Sequence, residues 1–283
     1  MTGPLTLGKM TLEVVSDGTW RLDGGLMFGI VPKVLWERVA PADEQNRILM
    51  ALNCLLVRTD RQIILVDTGL GDLWDEKFHQ IYAPDRSRSL LQQLAARGLR
   101  PEDVDIVINT HLHFDHTGNN VRRQGERLVP TFPRARYIVQ RGEYEHAQAP
   151  NDRDRASYRS ITWEPLRENG QLELIDGDHE ILPGVRLVKV RGHNRDLQVL
   201  FLHSEGQTAV FWSDLIPMTP HVHKPWIAAL DQYPLETLEQ KNRLLPQAVR
   251  EQWLCIFYHD PHIPIGRIIE AEGRFRVVPI EGG

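Results

Sequence analysis

The sequence predicts one mixed α/β domain over residues 1–283, and three observations carry that reading. Short runs of aliphatic, β-branched and aromatic residues recur along most of the chain, with Gly, Asp or Asn in the gaps. Two stretches among them place apolar residues at helical spacing. No Pro- or Ser-rich linker, solenoid-period repeat or low-complexity tract divides the chain.

The strands are read, in order, at ALNCLLV (51–57), QIILV (62–66), VDIVIN (104–109), RYIVQ (136–140), VRLVKV (185–190), QVLFLH (198–203), TAVFWS (208–213) and WLCIFY (253–258). The first helix is read at RSLLQQLAARG, where Leu90, Leu91, Leu94 and Ala95 share a face and Gly98 supplies a C-terminal stop. The second is PLETLEQKNRLL, opened by a proline and carrying Leu235, Leu238 and Leu245. Cys54 and Cys255 fall inside apolar runs with no CxxC partner, so both are expected to be buried, reduced thiols.

Composition narrows the function. With 33 basic and 38 acidic residues the formal net charge is −5, and no basic run is long enough to track a nucleic acid. No uninterrupted apolar stretch could span a bilayer, and MTGPLTLGKMTLEVVSDG lacks the charged and apolar regions of a secretory signal. The expectation is a soluble cytoplasmic protein with neither nucleic-acid nor membrane partners.

The chemistry concentrates in THLHFDHTGNN (110–120), where His111, His113, Asp115 and His116 lie too close together to serve one ion comfortably, so two ions are expected. Imidazole nitrogens mixed with a hard carboxylate suit zinc or a neighbouring first-row metal. Other strands also end in candidate ligands: His193 after VRLVKV, Asp214 after TAVFWS and His259 after WLCIFY. A rigid strand fixes such a residue while the loop beyond it shapes a cavity. His79, His146, His179, His203 and His262 lack such a setting and are read as ordinary surface or core residues.

THLHFDH, RGHNRDLQ, SDLIP and YHDPH resemble, in order, the motifs of the metallo-β-lactamase-fold hydrolases. Within that superfamily LDGGLMFGIVPKVLW (22–36) is similar to the N-terminal signature of the quorum-quenching lactonases. The resemblance implies an αββα sandwich, two mixed β-sheets flanked by helices. It assigns His111, His113 and His193 to one divalent ion and Asp115, His116 and His259 to a second, with Asp214 bridging. Zinc is the first expectation, and iron, manganese or cobalt suit the same donors. Such a pair of ions, about 3.5–4 Å apart, would share a hydroxide at neutral pH that attacks an ester-like bond. Asp115 and Asp214 are then the catalytic carboxylates, Asp115 carrying a proton to the leaving group. Asp67 of VDTGL would support the histidine loop from behind.

Two departures mark this chain. Asn194, Arg195, Asp196 and Leu197 replace the small Thr-Pro-Gly-His run after the ligand histidine, and Pro217 stands where the resembling acyl-homoserine lactonases carry a tyrosine that polarises the carbonyl. Tyr233, His221 and His223 are candidates to replace that hydroxyl. Met27 and Phe28 are candidates to border the substrate entrance, although a buried loop or a homodimer contact explains the same apolar segment. The expected activity is hydrolysis of N-acyl homoserine lactones or similar small lactones. Thioester hydrolysis of the hydroxyacylglutathione type and phosphotriester hydrolysis are the alternatives, and iron-dependent redox chemistry is the remote one.

Overall fold

The computed structural model describes residues 3–280. Its first sheet begins with β1 (Leu5–Leu7), β2 (Met10–Asp23), β3 (Arg47–Arg58), β4 (Ile63–Val66) and β5 (Ile106–Ile108). A separate hairpin of β6 (Val121–Gln124) and β7 (Arg127–Pro130) follows, and β8 (Arg136–Gln140) and β9 (Leu172–Ile175) complete seven strands in the order β1-β2-β3-β4-β5-β8-β9. The second sheet, also of seven strands, takes the rest in chain order: β10 (His179–Leu182), β11 (Val185–Val190), β12 (Leu197–Ser204), β13 (Gln207–Phe211), β14 (Leu254–Ile256), β15 (Ile265–Ala271) and β16 (Arg274–Pro279).

The apolar runs form these sheets because most of them are covered on both faces. From Met50 to Val57 every residue of β3 is buried, which is why ALNCLLV reads as a continuous apolar run rather than an alternation. One core lies between the sheets and joins Leu12, Ile48, Leu52 and Val107 of the first to Leu187, Leu200, Phe211 and Ile256 of the second. Another lies between the second sheet and the helix Pro234–Arg250, where Val199, Val210 and Phe257 meet Leu244, Leu245 and Ala248. Each such side chain contributes about 1.5–3 kcal/mol by leaving water. Helices Leu90–Ala95 and Arg141–Gln148 pack on the first sheet, so the layers run helix, sheet, sheet, helix. This is the αββα sandwich.

Each expected strand is present within a few residues of its expected bounds, and each helix buries part of the face expected of it. In Leu90–Ala95, Leu90 and Leu94 are buried together with Gln93 and Leu91 packs partly buried against the core, while Ala95 is exposed. Gly98 does end the helix: at φ 70° it lets Gly98 N–H reach the Ala95 carbonyl and Leu99 N–H the Leu94 carbonyl. In Pro234–Arg250 the buried face is Thr237, Lys241, Leu244, Leu245 and Ala248, and Leu235 is 79% exposed. Polar contacts decide that rotation. Lys241 Nζ donates to the carbonyls of His223 and Trp226, both at 2.8 Å, and Thr237 Oγ1 donates to Asp231 at 2.6 Å. These bonds tie the helix to the loop before it.

Candidate metal centre

Strand direction gathers the site. β4 and β5 run parallel, as do β13 and β14, so Asp67 and His111 emerge from one sheet on the same side as Asp214 and His259 from the other. His193 joins them three residues beyond the end of β11. Beyond His113 the chain makes a single helical turn, Phe114–Thr117, which fans Asp115 and His116 in different directions. Close backbone packing holds that turn in place. A Cβ at Gly118 would lie 1.8 Å from the Leu70 carbonyl oxygen, so only glycine lets the ligand loop cross the Leu70–Gly71 turn.

All seven candidate ligands are buried and converge. Ligand atoms of His111, His113 and His193 lie within 4.8 Å of one another, those of Asp115, His116 and His259 likewise, and His111, His116 and Asp214 form an overlapping group. Asp214 faces both sides. Its Oδ2 is 3.4 Å from His193 Nε2 and 3.9 Å from His111 Nε2, while Oδ1 is 3.3 Å from both His116 Nε2 and His259 Nε2. One carboxylate thus presents one oxygen to each histidine group.

The outward ring nitrogens fix the inward ones. His116 Nδ1 donates to Asp67 at 2.8 Å, His193 Nδ1 to Asp231 at 3.0 Å, His259 Nδ1 to the Ala51 carbonyl at 3.0 Å and His111 Nδ1 to the Thr110 hydroxyl at 3.2 Å. With these protons directed outward, each Nε2 faces inward and becomes a lone pair whenever the imidazole is neutral, as metal binding requires. His113 is reversed, its Nδ1 lying 3.1 Å from His193 Nε2. Buried Nε2 atoms of His111 and His116 and Oδ1 of Asp214 have no hydrogen-bond partner. Unpartnered buried acceptors are costly, and a cation among them would satisfy all three, so the donor set fits divalent metal ions of the zinc type.

Backbone strain accompanies the arrangement. Asp67 at φ 54° and Ser213 at φ 48° are left-handed without being glycine. Asp67 is held there by Thr110 N–H and Thr110 Oγ1, both donating at 2.8 Å, and Ser213 by its hydroxyl donating to Thr110 Oγ1 at 2.7 Å. The charges are equally interlocked. Burial, reinforced by neighbouring imidazoles, pushes His111 well below its ordinary pKa and His113 down to about 3. Burial also opposes a proton on His116 and His259, but carboxylates outweigh it: Asp214, Asp115 and Asp67 hold His116 well above its usual range, and Asp214 and Asp115 raise His259 to about 9. Despite its burial, Asp214 is held well below the carboxylate range by His116, His259 and His193.

Residues 49–259 match the model of the metallo-beta-lactamase superfamily. The chain belongs to that superfamily. Among its relatives, an N-acyl homoserine lactonase of Bacillus cereus is 31% identical over 253 residues, covering 83% of this chain and 88% of that one. A probable metal-dependent hydrolase from Staphylococcus aureus superposes with a TM-score of 0.90 at 28% identity, covering 99% of this chain and 100% of that one. An N-acyl homoserine lactone hydrolase with N-hexanoyl-L-homoserine at its catalytic metal centre superposes with a TM-score of 0.68 at 25% identity, covering 91% and 95%. With these relatives, the chain is a metal-dependent hydrolase of the superfamily.

The two departures from the superfamily pattern have clear local settings. Asn194 is buried beside His193, and Asp196 takes a hydrogen bond from Lys189 Nζ at 2.9 Å. Pro217 offers no hydroxyl, but its carbonyl accepts the His259 N–H at 2.9 Å. The four expected substrate contacts lie around the loop that follows Pro217. Phe28 is wholly buried, stacked between Trp36 at 5.3 Å and His221 at 5.0 Å, and the Met27 carbonyl accepts from His221 Nε2 at 2.7 Å. His223 packs on Trp226 at 5.3 Å, and Tyr233 lies under the Arg191 guanidinium at 3.9 Å while its N–H donates to the Gly192 carbonyl.

Sequence reading missed two features. Asp231, which holds His193, is a lone loop residue with no motif around it. The other is an aromatic wall. Phe114, inside the ligand loop, has Trp20, Trp74, Phe78 and Tyr82 within 5.8 Å between ring centroids, and Trp20 is 6.0 Å from His259. Phe114 apart, nothing in the sequence links these rings to the ligands.

Proposed function

We propose that this enzyme hydrolyses N-acyl homoserine lactones, or lactones of similar size, with two divalent transition-metal ions, zinc first among them. The carrying observation is the shared Asp214, with one oxygen toward His111 and His193 and the other toward His116 and His259. The lactonase relatives and the aromatic wall beside His259 support the substrate class.

In this reading His111, His113 and His193 hold one ion, Asp115, His116 and His259 the other, and Asp214 both. When bound, the ions supply Lewis acidity, making a water acidic enough to lose its proton near neutral pH and polarising the carbonyl. The protein's own groups do the rest. Asp67, Asp231, Thr110 and the Ala51 carbonyl keep the imidazole lone pairs aimed inward. Asp115, whose Oδ2 is 3.3 Å from His259 Nε2, would take up the proton that the attacking water loses and pass it to the departing alkoxide. Trp20, Phe78 and Phe114 are buried and exclude water, and the partly exposed Trp74 and Tyr82 receive an acyl chain, each methylene buried contributing about 0.8 kcal/mol.

The test combines metal content with a substrate panel. Protein purified without chelator should carry close to two transition-metal ions per chain. Its kcat/KM should rise with acyl-chain length across homoserine lactones and exceed that for S-lactoylglutathione or a phosphotriester. A thioester or phosphotriester preferred over every lactone would transfer the assignment to that class, and a reproducible single ion would overturn the paired site.

A further inference from the structure

Residues 158–162 run alongside the ligand loop and brace it. Tyr158 forms a backbone bridge with His113 and packs its ring edge-on against that imidazole at 4.8 Å, while Thr162 Oγ1 meets Thr117 Oγ1 at 2.8 Å. Between these contacts Arg159 extends over Phe114, its guanidinium carbon 6.0 Å from the ring centroid. The guanidinium donates from Nη1 to the Tyr158 carbonyl at 3.2 Å, and no carboxylate among the described residues forms an ion pair with it. It is half-buried.

Tyr82 stands against the same ring, 5.6 Å from Phe114 between centroids. Burial, with the Asp115 carboxylate adding, pushes its phenol above the usual range, while the Arg159 cation acts in the opposite direction. Tyr82 therefore senses both Asp115 and Arg159. A cation with most of its donors uncommitted stands over an apolar wall beside the ligand loop. A guanidinium with free N–H groups recognises an acceptor oxygen with directional bonds, and the aromatic face beneath limits its motion.

Building on the lactonase reading, we infer that Arg159 is a specificity-determining residue that donates to the amide carbonyl oxygen of an N-acylated lactone whose acyl chain lies along the Phe114 wall. The preferred substrate is thus an acylamino lactone rather than a plain alkyl lactone. Tyr82 lines the same corner and confines the amide. Arg159 takes no part in bond breaking, so its contribution belongs to binding and falls on KM rather than kcat.

The test compares N-hexanoyl homoserine lactone with α-hexyl-γ-butyrolactone, which has the same ring and a six-carbon chain but no amide. The wild-type enzyme should favour the amide substrate, and Arg159→Met should reduce that preference by about tenfold through KM, with kcat and the plain lactone within about twofold of wild type. Arg159→Lys should recover part of the preference. Calorimetric binding of the product N-hexanoyl-homoserine should weaken by a similar factor in Arg159→Met. An unchanged preference and product affinity would overturn the inference, as would an equal loss on both lactones, which would make Arg159 only a brace for the loop. If the wild type hydrolyses the plain lactone but not the amide, the inference fails while lactonase activity stands. If it hydrolyses neither, the lactonase reading fails and takes the inference with it.

Discussion

Replacing Asp231 by alanine should weaken the hold on one prospective ion and leave the other nearly intact. Asp231 Oδ1 accepts from His193 Nδ1 at 3.0 Å and its Oδ2 accepts from Thr237 at 2.6 Å, so the variant frees the imidazole of His193 to rotate and change tautomer. Loss of such an outer partner costs about 10–100-fold in metal affinity, or about 1.4–2.8 kcal/mol. The loss should fall on the ion held by His111, His113 and His193. Asp67→Asn is the reciprocal perturbation, because Asp67 holds His116 of the other group. Competition against a chelator of known affinity measures both sites. Wild-type protein should release two ions over a narrow chelator range. Asp231→Ala should release one ion early and keep the second, with the surviving ion still dependent on Asp67. Two ions released together at wild-type chelator concentrations would refute the division of labour drawn from the hydrogen bonds.

Asp214→Ala removes the carboxylate common to both groups and should lower turnover by several orders of magnitude in a folded protein, whereas His79→Ala, on an exposed helical position, should match wild type in the same kinetic assay. Gly118→Ala should lower the thermal midpoint clearly, since its Cβ would meet the Leu70 carbonyl oxygen at 1.8 Å and overpacking of this kind costs about 1–3 kcal/mol. In metal-free protein His259 is raised from 6.5 to about 9, so its contribution to stability is complete below pH 6.5 and is lost as pH rises through about 9. Thermal unfolding of chelator-treated protein across that window checks the sign. Because an ion must displace the same proton, metal uptake at neutral pH should release protons into the buffer.

Much of the centre was legible because metal chemistry needs particular residue types and strands leave a plain mark. VRLVKV and RYIVQ became β11 and β8 with unchanged bounds, and the ligands beyond the strands stood out as polar residues after apolar runs. β2 escaped notice because MTLEVVSDGTWRLD interrupts its apolar pattern with charges and with Gly18, where the pairing with β3 slips. β16 lies at a sheet edge and carries the charges an edge tolerates, and β15, beside it, alternates its apolar residues with charges. The buried face of Pro234–Arg250 was misjudged because leucine spacing ignores a lysine whose ammonium finds two carbonyls indoors. Asp231 and the aromatic wall were invisible for another reason: their meaning lies in partners far along the chain, and local pattern holds no record of such pairs.

The donor atoms are divided between the halves of the chain. His111, His113, Asp115 and His116 follow strands of the first sheet, while His193, Asp214 and His259 follow strands of the second. On the proposed assignment each ion would draw donors from both sheets and staple one to the other. Cutting the chain between Ile175 and His179, where it passes from one sheet to the next, would yield two fragments that each lack part of both donor sets. Their reassociation would become a metal-gated event, with the bound metal as the clasp and a chelator as the release. Such a split pair would report metal supply through hydrolysis itself, because activity would return only when both fragments and both ions had come together.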